Sequence, residues 1–387
     1  MKSKFVFIAS WTESIIHFRG ELVKQVLDAG MEVHFIAPFL PVDAEVRNQL
    51  EARGVTCHPV RFDRGSVNPF RDILLLFRLF RLIKEIEPEY VFSYTIKPVI
   101  YGSAAAFLAG VPKIYSLITG LGLTFNNSGL AQTFVKHISS TLYKAALWAN
   151  RGVFFQNPDD LKVFTDTRIT TTEKSIVVNG SGVDTESYRL QSLPDTAHFL
   201  MIARFLINKG FREYVKAAKI VKAEYPEATF SLVGFIDDSS NAIFQHELDD
   251  VIKDGSVNYI GRLRSVKEQI ALADIIVLPS YHEGTPRSIL EGMSMGRAVI
   301  TTDVAGCRST VVDGLNGVLI EARSVNSLVA AMILLIKDRS LVAEMGRKSR
   351  MIAEEKFDVQ IVTRSIIDGM GIKISNAKQR SNENYWE

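Results

Sequence analysis

The stretch IIVLPSYHEGTPRSILEGMSMGRAVI, residues 275–300, decides the fold class of this chain. Its apolar opening, IIVL, predicts a short buried strand. Pro286 suits the first turn of a helix, which we expect to end near Gly296. The apolar run AVI that follows predicts a second buried strand. A strand, a helix and a further strand in this order are typical of a parallel α/β sheet.

The loop between this strand and this helix carries polar groups suited to ligand binding. Glu283 follows the strand at its carboxyl end, where open α/β sheets bind ligands. The free backbone N–H groups of residues 284–287 favour anionic or hydroxyl-rich ligands. Glu291 lies about two turns further along. It is placed to accept hydrogen bonds from vicinal hydroxyls, as an acidic residue does for ribose in dinucleotide sites.

The same alternation of apolar runs and helical segments extends through the rest of the chain. It occurs near the N-terminus, with apolar runs at residues 5–9 and 32–37, and it returns after residue 198. We therefore expect two doubly wound α/β halves. Polar, turn-rich sequence places the boundary near residues 180–196, and a cleft between the halves is the expected ligand site.

Composition and charge restrict the class of protein. The chain has 387 residues, of which 47% are hydrophobic, and this is enough apolar material for more than one core. A formal net charge of +2 gives little of the positive field that sequence-independent nucleic-acid binding needs, so we expect no general nucleic-acid binder. Cys57 and Cys307 lack metal-ligand spacing, which argues against a disulfide scaffold or a zinc site and fits a reducing compartment.

Hydrophobic runs and basic residues bear on the location of the protein. No apolar run approaches the roughly 18 to 20 residues that cross a bilayer, and the run at residues 5–9 is too short for an export signal. We therefore expect a cytoplasmic protein that is not integral to a membrane. Residues 71–84 form a basic and very apolar predicted helix, and residues 90–158 contain no Asp or Glu. This pattern indicates either a buried helix with snorkelling basic ends or a face that meets anionic lipid.

The motif at residues 275–300 resembles the donor domain of the retaining GT-B glycosyltransferases of glycosyltransferase family 4. Members carry two glutamates in this strand-loop-helix context, and the matching residues here are Glu283 and Glu291. The resemblance covers residues 4–372 and is strongest at residues 200–320. It implies an α/β GT-B fold, with two Rossmann-like, doubly wound domains that face a central cleft.

The resemblance also implies a division of the chain into domains. Residues 1–180 would form an acceptor-binding domain, and residues 196–355 a domain that binds the nucleotide-sugar donor. A C-terminal helix at residues 356–375 is expected to pack back on the N-terminal domain. A polar tail follows at residues 376–387.

Several residues match the donor site of the family and take their expected roles from it. Arg204 and Lys209, in the segment ARFLINKG, match the pair that holds the donor diphosphate. Two fixed cations stabilise a leaving group that gains negative charge in the transition state, and they do so without a metal. Glu291 would hold the ribose, and the donor sugar would be held by Glu283, Gly284, Thr285 and Pro286.

Two turns match the segments that lie on either side of the nucleobase in the family. They contain Gly234 and Arg262, although Arg262 is equally well explained as a solvated arginine in a turn. The N-terminal half departs from the usual pattern, because no glycine-rich loop follows its first strand. The usual active-site histidine aligns with Thr119, so His17 is the candidate that takes its place.

A glycine pair after the predicted strand KIYSLI at residues 113–118, Gly120 and Gly122, is expected to allow close approach of the backbone to a ligand. Lys97 either meets the acceptor diphosphate or is a plain surface lysine. These features are similar to a subgroup that builds bacterial surface polysaccharides on undecaprenyl-diphosphate sugars, including α-1,3-N-acetylgalactosaminyltransferases.

The expected function follows from this resemblance. It is a retaining, metal-independent glycosyltransferase that moves N-acetylgalactosamine, or a related hexose or N-acetylhexosamine, from a UDP-sugar to an undecaprenyl-diphosphate-linked saccharide. The pathway would be O-antigen, capsule or glycan biosynthesis, at the cytoplasmic face of the inner membrane. No cofactor is expected, and no metal ligands are assigned because no Asp-x-Asp follows a predicted strand.

Three other classes of protein are alternatives to this one. A nucleotide-sugar epimerase of GT-B architecture would act on its donor without an acceptor. A dinucleotide-dependent oxidoreductase is disfavoured because the sequence contains no Gly-x-Gly-x-x-Gly. A two-lobed sugar-binding protein is disfavoured by the missing export signal and by the cations Arg204 and Lys209.

Overall fold

The computed structural model describes residues 2–39, 43–62, 68–121, 130–194, 196–237, 239 and 241–373, and of residues 130–136 the main chain only. The chain divides into two compact units, the first made of Met1–Ser181 with Val362–Glu387 and the second of Gly182–Ile361. Gly122 and the predicted polar tail at residues 376–387 lie outside the described residues.

In the described residues the first unit has one parallel sheet. Its strands are β1 Lys4–Ile8, β2 Glu32–Ala37, β3 Val55–Pro59, β4 Tyr90–Tyr94, β5 Lys113–Ile118, β6 Gly152–Phe155 and β7 Ser175–Val177. Their order is β3-β2-β1-β4-β5-β6-β7. Phe5 of β1 pairs with Val33 on one side and with Tyr90 on the other. The order reverses between β1 and β4, so their carboxyl ends form a topological switch point.

Helices connect these strands. They are α1 Ser14–Asp28, α2 Ala44–Ala52, α3 Pro69–Ile86, α4 Ser103–Leu108, α5 Leu130–Trp148 and α6 Pro158–Asp166. Helix α3 begins after Asn68, whose side chain accepts a hydrogen bond from the Phe70 N–H at 3.1 Å. Its apolar residues recur every three or four positions, and the helix buries Leu75, Leu79, Ile83 and Ile86.

The second unit repeats this architecture. Its strands are β8 His198–Arg204, β9 Thr229–Phe235, β10 Asn258–Gly261, β11 Ile275–Leu278, β12 Ala298–Thr302 and β13 Gly317–Ile320. Its helices are α7 Phe211–Glu224, α8 Gln245–Asp254, α9 Lys267–Leu272, α10 Arg287–Ser294, α11 Val325–Lys337 and α12 Arg339–Ile352. All strand pairs are parallel, in the order β10-β9-β8-β11-β12-β13.

The last described helix, α13 Val359–Gly369, carries the chain back to the first unit. Its buried residues Val362, Ile366 and Ile367 belong to the same apolar core as the strand residues Phe5 and Phe92. The helix therefore contributes to the core of the first unit, although it is far from that unit in sequence.

The predicted fold class, α/β with two doubly wound parallel-sheet domains, is confirmed. The core strands are apolar on both faces, as expected where helices cover both sides of a parallel sheet. Within the part of the chain that the structure describes, no helix has both the length and the hydrophobicity needed to cross a bilayer.

Candidate active site

The candidate site lies at the switch point of the second sheet. The strand order runs outward in both directions from the neighbours β8 and β11, and open sheets of this kind bind ligands at the carboxyl ends of such strands. Arg204 is the last residue of β8. The loop at residues 279–286 follows β11 and carries Glu283, so both predicted residues lie at this edge of the sheet.

Lys209 and Glu283 form an ion pair at this edge. The Lys209 Nζ donates to Glu283 Oε1, and the two side chains are only 18% and 11% exposed. Ser280 Oγ donates to the same carboxylate oxygen at 2.8 Å. The backbone N–H of Glu283 donates to the Ala305 carbonyl at 3.1 Å. A mostly buried cation thus lies beside a firmly held carboxylate, although the sequence assigned the two residues to different parts of the donor.

Two glycines allow the loops around this ion pair to approach each other. Gly210 has a φ of +76°, and a Cβ built on it would lie 2.2 Å from the carbonyl oxygen of Pro279. Gly306 has a φ of +78°, and its Cβ would lie 2.3 Å from the carbonyl oxygen of Glu283. Any other residue at either position would push these loops apart.

Arg204 has a more exposed environment than Lys209. Its Nη1 lies 2.6 Å from Asp237 Oδ2, and its side chain is 53% exposed. Asp237 follows β9, and sequence reasoning missed it because nothing local marks it as a partner of Arg204. The guanidinium therefore lies at the carboxyl end of β8, more than half exposed and paired with one carboxylate.

Glu291 is nearly buried in α10 and is held by two donors. Arg287 Nε donates to Glu291 Oε1 at 2.8 Å, one helical turn away. The Tyr188 hydroxyl donates to the same oxygen at 3.1 Å. Arg287 could have been anticipated from its spacing of four residues. Tyr188, 103 positions away, carries no comparable signal in the sequence.

The start of α10 differs slightly from the prediction. Pro286 has extended backbone angles and caps the helix, so Arg287 is the first helical residue. The Pro286 carbonyl accepts the Leu290 N–H at 3.3 Å, as the residue before a helix does. Thr285 Oγ1 donates to the Gly284 carbonyl at 2.9 Å. The helix ends at Ser294, two residues before Gly296.

The two turns predicted to flank the nucleobase, which contain Gly234 and Arg262, also have structural roles. Gly234 has a φ of +151°, and a Cβ there would lie 1.8 Å from the Ala203 carbonyl oxygen, so β8 and β9 require a glycine at this point. The Tyr259 hydroxyl donates to the Gly234 carbonyl at 3.3 Å. The Arg262 guanidinium lies 4.5 Å from the ring centroid of Phe235. This contact fixes Arg262 against an aromatic face near the end of β9.

The predicted residues of the first unit lie near its own switch point. His17 is exposed in the first turn of α1, not in a loop, and its ring lies 6.3 Å from that of Trp11. Gly120 has a φ of +127°, a conformation that favours glycine. Lys97 forms an ion pair of 2.6 Å with Asp72, and neither side chain is more than 13% exposed. The plain surface-lysine interpretation of Lys97 is therefore wrong.

Cys307 is a buried thiol near Glu283. Burial, reinforced by the negative charge of Glu283, raises the pKa of the Cys307 thiol to about 12, so this thiol stays protonated.

Among the described residues no group of three or more His, Cys, Asp or Glu side chains is arranged to hold a metal ion.

Residues 9–157 match the family model Glycosyl transferase 4-like, and residues 196–338 match the model Glycosyl transferases group 1. The chain is similar to the N,N'-diacetylbacillosaminyl-diphospho-undecaprenol alpha-1,3-N-acetylgalactosaminyltransferase of Campylobacter jejuni, at 25% identity over 92% of this chain and 95% of the relative. It is also similar to the UDP-Gal:alpha-D-GlcNAc-diphosphoundecaprenol alpha-1,3-galactosyltransferase of Escherichia coli, at 23% identity over 71% and 73%.

A solved structure shares the fold. HepE of Anabaena in complex with UDP matches with a TM-score of 0.73 at 17% identity, over 96% of this chain and all of that chain. This likeness confirms the expected GT-B fold class. The matched family models and the names of the relatives confirm the glycosyltransferase prediction, and they give no support to the epimerase alternative.

Proposed function

Since this chain is a glycosyltransferase with a 4-like domain at residues 9–157 and a group 1 domain at residues 196–338, we propose that it transfers a sugar from a UDP-sugar to an undecaprenyl-diphosphate-linked saccharide. The names of both relatives support this acceptor class. The name of the E. coli relative supports a UDP-sugar donor. The transferred sugar is N-acetylgalactosamine or a related hexose or N-acetylhexosamine, and its anomeric configuration is retained.

The observation that carries the proposal is the Lys209–Glu283 ion pair at the switch point, with Glu291 in the helix that follows the same loop. When the glycosidic C1–O bond to the diphosphate breaks, negative charge grows on the leaving UDP. Lys209 and Arg204 stabilise that charge. Glu291 accepts hydrogen bonds from the ribose. The donor sugar contacts Glu283, Gly284, Thr285 and Pro286, and the nucleobase lies against Gly234 and Arg262.

The new bond forms on the same face of the sugar as the bond that breaks. C1 bonds to the acceptor hydroxyl oxygen, and the hydroxyl proton passes to an oxygen of the departing phosphate. The charge of UDP is thereby partly neutralised as it leaves. No residue in the N-terminal half is assigned as a carboxylate nucleophile, so a double displacement is not part of the proposal. His17 and Gly120 are the candidates there for contacts to substrate.

We further propose that the protein works on the surface of an anionic membrane, which holds the lipid-linked acceptor. The large apolar side chains Phe70, Ile73, Leu74 and Phe77 of α3 are 84%, 64%, 47% and 54% exposed. On the same helix, four basic residues are exposed: Arg71, Arg78, Arg81 and Lys84. Burial with snorkelling ends does not account for this exposed apolar stripe. An amphipathic, basic helix of this kind suits the headgroup region of anionic lipid.

The reaction is tested by mass spectrometry. The protein is incubated with a panel of UDP-sugars and a synthetic polyprenyl-diphosphate saccharide, and the acceptor mass is expected to rise by one sugar unit with a single preferred donor. Each UDP-sugar incubated without acceptor is the control. Rapid isomerisation or hydrolysis of the donor in that control, with no product on the acceptor, would contradict the proposed transfer.

A further inference from the structure

Tyr188 lies in the chain segment that leads from the first unit into β8, and no recognised motif contains it. The ring is only 9% exposed and belongs to the apolar core of the second unit. Its hydroxyl reaches the carboxylate of Glu291 at 3.1 Å. A residue of the connecting segment thus contacts the side chain that the proposed function assigns to the ribose.

The two donors to Glu291 leave one carboxylate oxygen available. The Tyr188 hydroxyl and Arg287 Nε both donate to Oε1. Among the described residues, the structure gives no partner to Oε2. A carboxylate that must accept hydrogen bonds from a ligand is best held by one oxygen while the other faces the ligand.

Tyr188 is itself fixed by its surroundings. Its carbonyl oxygen accepts hydrogen bonds from Ser294 Oγ at 2.7 Å and from Arg350 Nη1 at 2.9 Å. The Lys267 ammonium lies 5.3 Å from the centroid of its ring. Because Ser294 and Glu291 both belong to α10, the main chain and the phenol of Tyr188 are tied to the same helix. The phenol therefore has little freedom to leave Glu291.

The protonation state of the phenol suits a donor. Burial, together with the negative charge of Glu291, raises the pKa of Tyr188. The hydroxyl therefore keeps its proton at any pH at which the protein works, and it donates to the carboxylate.

We propose that Tyr188, together with Arg287, is a positioning residue that holds Oε1 of Glu291 so that Oε2 meets the ribose hydroxyls of the nucleotide. This inference rests on the proposed function, which supplies a nucleotide to the site. It assigns to the connecting segment a part in recognising the donor, through a residue that touches the carboxylate and not the substrate.

The test compares the affinity of the full chain for UDP and for 2′,3′-dideoxyuridine diphosphate, measured by calorimetry. The ratio of the two affinities reports recognition of the ribose hydroxyls alone. Tyr188→Phe is expected to weaken UDP binding about 3- to 10-fold, the range for one lost hydrogen bond, and to leave the dideoxy affinity unchanged. Glu291→Gln is expected to bring the ratio of the two affinities close to one. Adding Tyr188→Phe to Glu291→Gln should not change this ratio further.

Tyr214→Phe is the matched control for loss of a buried phenol. The Tyr214 hydroxyl is buried in the same unit and lies 2.9 Å from the carbonyl oxygens of both Phe199 and Ser231, which share its one proton. This variant is expected to lower the melting temperature while keeping the wild-type affinity ratio. A change of ratio specific to Tyr188→Phe therefore separates positioning from a general loss of stability.

The outcomes separate this inference from the proposed function. If the affinity ratio falls close to one in Glu291→Gln but keeps its wild-type value in Tyr188→Phe, the positioning role is wrong and the ribose assignment stands. If Glu291→Gln itself keeps the ratio, the ribose assignment is wrong and the inference falls with it. Should Tyr188→Phe fail to fold, Arg287→Met tests the same arrangement, and an unchanged ratio in that variant overturns the inference.

Discussion

Lys209 and Glu283 lie 74 positions apart, yet each supplies the countercharge of the other in a mostly buried pair. Charges in such a place are costly unless they are paired, so removing one partner leaves the other without compensation. Lys209 is therefore expected to have two effects, one on the stability of the loop and one on the departing diphosphate.

Lys209→Ala is expected to reduce turnover about 10²- to 10³-fold, the range for loss of one preorganised group that stabilises developing negative charge. Turnover is measured with saturating UDP-sugar and acceptor. Lys216→Ala, an exposed lysine of the next helix, is the control and should behave as wild type. The double variant Lys209→Ala with Glu283→Gln should have a higher melting temperature than Lys209→Ala alone, but no higher turnover. Wild-type turnover in Lys209→Ala would remove this residue from the mechanism.

A second pair of residues is expected to contribute to the pH dependence of stability. His34 Nδ1 and His58 Nε2 lie 3.0 Å apart on neighbouring strands of the first sheet. Burial lowers the pKa of His34, against a smaller opposing effect of Glu32. Burial also lowers the pKa of His58, and His34 adds to this. The folded protein therefore favours the neutral form of both rings more than the unfolded chain does.

The free energy of unfolding is expected to fall as the pH drops below about 6.5, the pKa of an unperturbed histidine. In that range the unfolded chain binds protons that the folded protein takes up less readily. Above that pH the contribution is fully present. Denaturant unfolding at pH 7.5, 6.5 and 5.5 measures the effect. His58→Gln, which removes one of the two rings, should show a shallower slope, and an equal slope in both proteins would refute the assignment.

At the scale of the element, α3 carries apolar residues on two faces. The helical period of the sequence does not show which of these faces is buried and which is exposed. Its buried side joins the core through Leu75, Leu79 and Ile83, and its other side exposes Phe70 and Phe77. Asp72, its acidic residue in the first turn, is buried against Lys97, so Glu85 is the acidic residue that α3 exposes beside its four exposed basic residues. The exposed side has the chemistry of a helix that lies in a lipid headgroup region.

The double variant Phe70→Ser with Phe77→Ser is expected to bind vesicles of phosphatidylglycerol and phosphatidylcholine at least about tenfold more weakly, because each buried aromatic ring contributes roughly 1.5 to 3 kcal/mol. Co-sedimentation at low salt measures the binding, which should also weaken as salt screens the basic residues. Ile220→Ser, at an exposed apolar site of α7, is the control. Equal binding by the variant and the wild type would show that α3 does not meet the membrane.

At the scale of the whole molecule, two parallel sheets with their own switch points divide the substrates between them in the proposed reaction. In that proposal the donor site is built on Arg204, Lys209 and Glu283, and the two cations would take the part that a metal plays elsewhere. Transfer is therefore expected to continue at the wild-type rate in excess EDTA after extensive dialysis, as measured by product mass. Loss of activity that returns on adding Mg²⁺ or Mn²⁺ would contradict this expectation.

Local pattern was enough to predict the α/β class and the loop between β11 and α10. Apolar runs of strand length and the helical period depend on neighbouring residues only, and so does the position of Pro286 close to the helix start. Partners of site residues were harder to predict. Arg287 lies four residues before Glu291, and Ser280 lies three residues before Glu283, so both partners are visible in the sequence. Asp237, in contrast, is an ordinary loop residue until the pairing of β8 with β9 brings it to Arg204.

The sequence by itself determined which residues carry charge and which segments form strands, because both follow from side-chain chemistry and its period along the chain. Only the tertiary structure decided that Lys209 pairs with Glu283 and that Tyr188 reaches Glu291. It also decided that α3 leaves Phe70 and Phe77 exposed. The physical reason is that contacts between residues far apart in the chain arise from the order in which parallel strands pair, and this order leaves no periodic signal in the sequence.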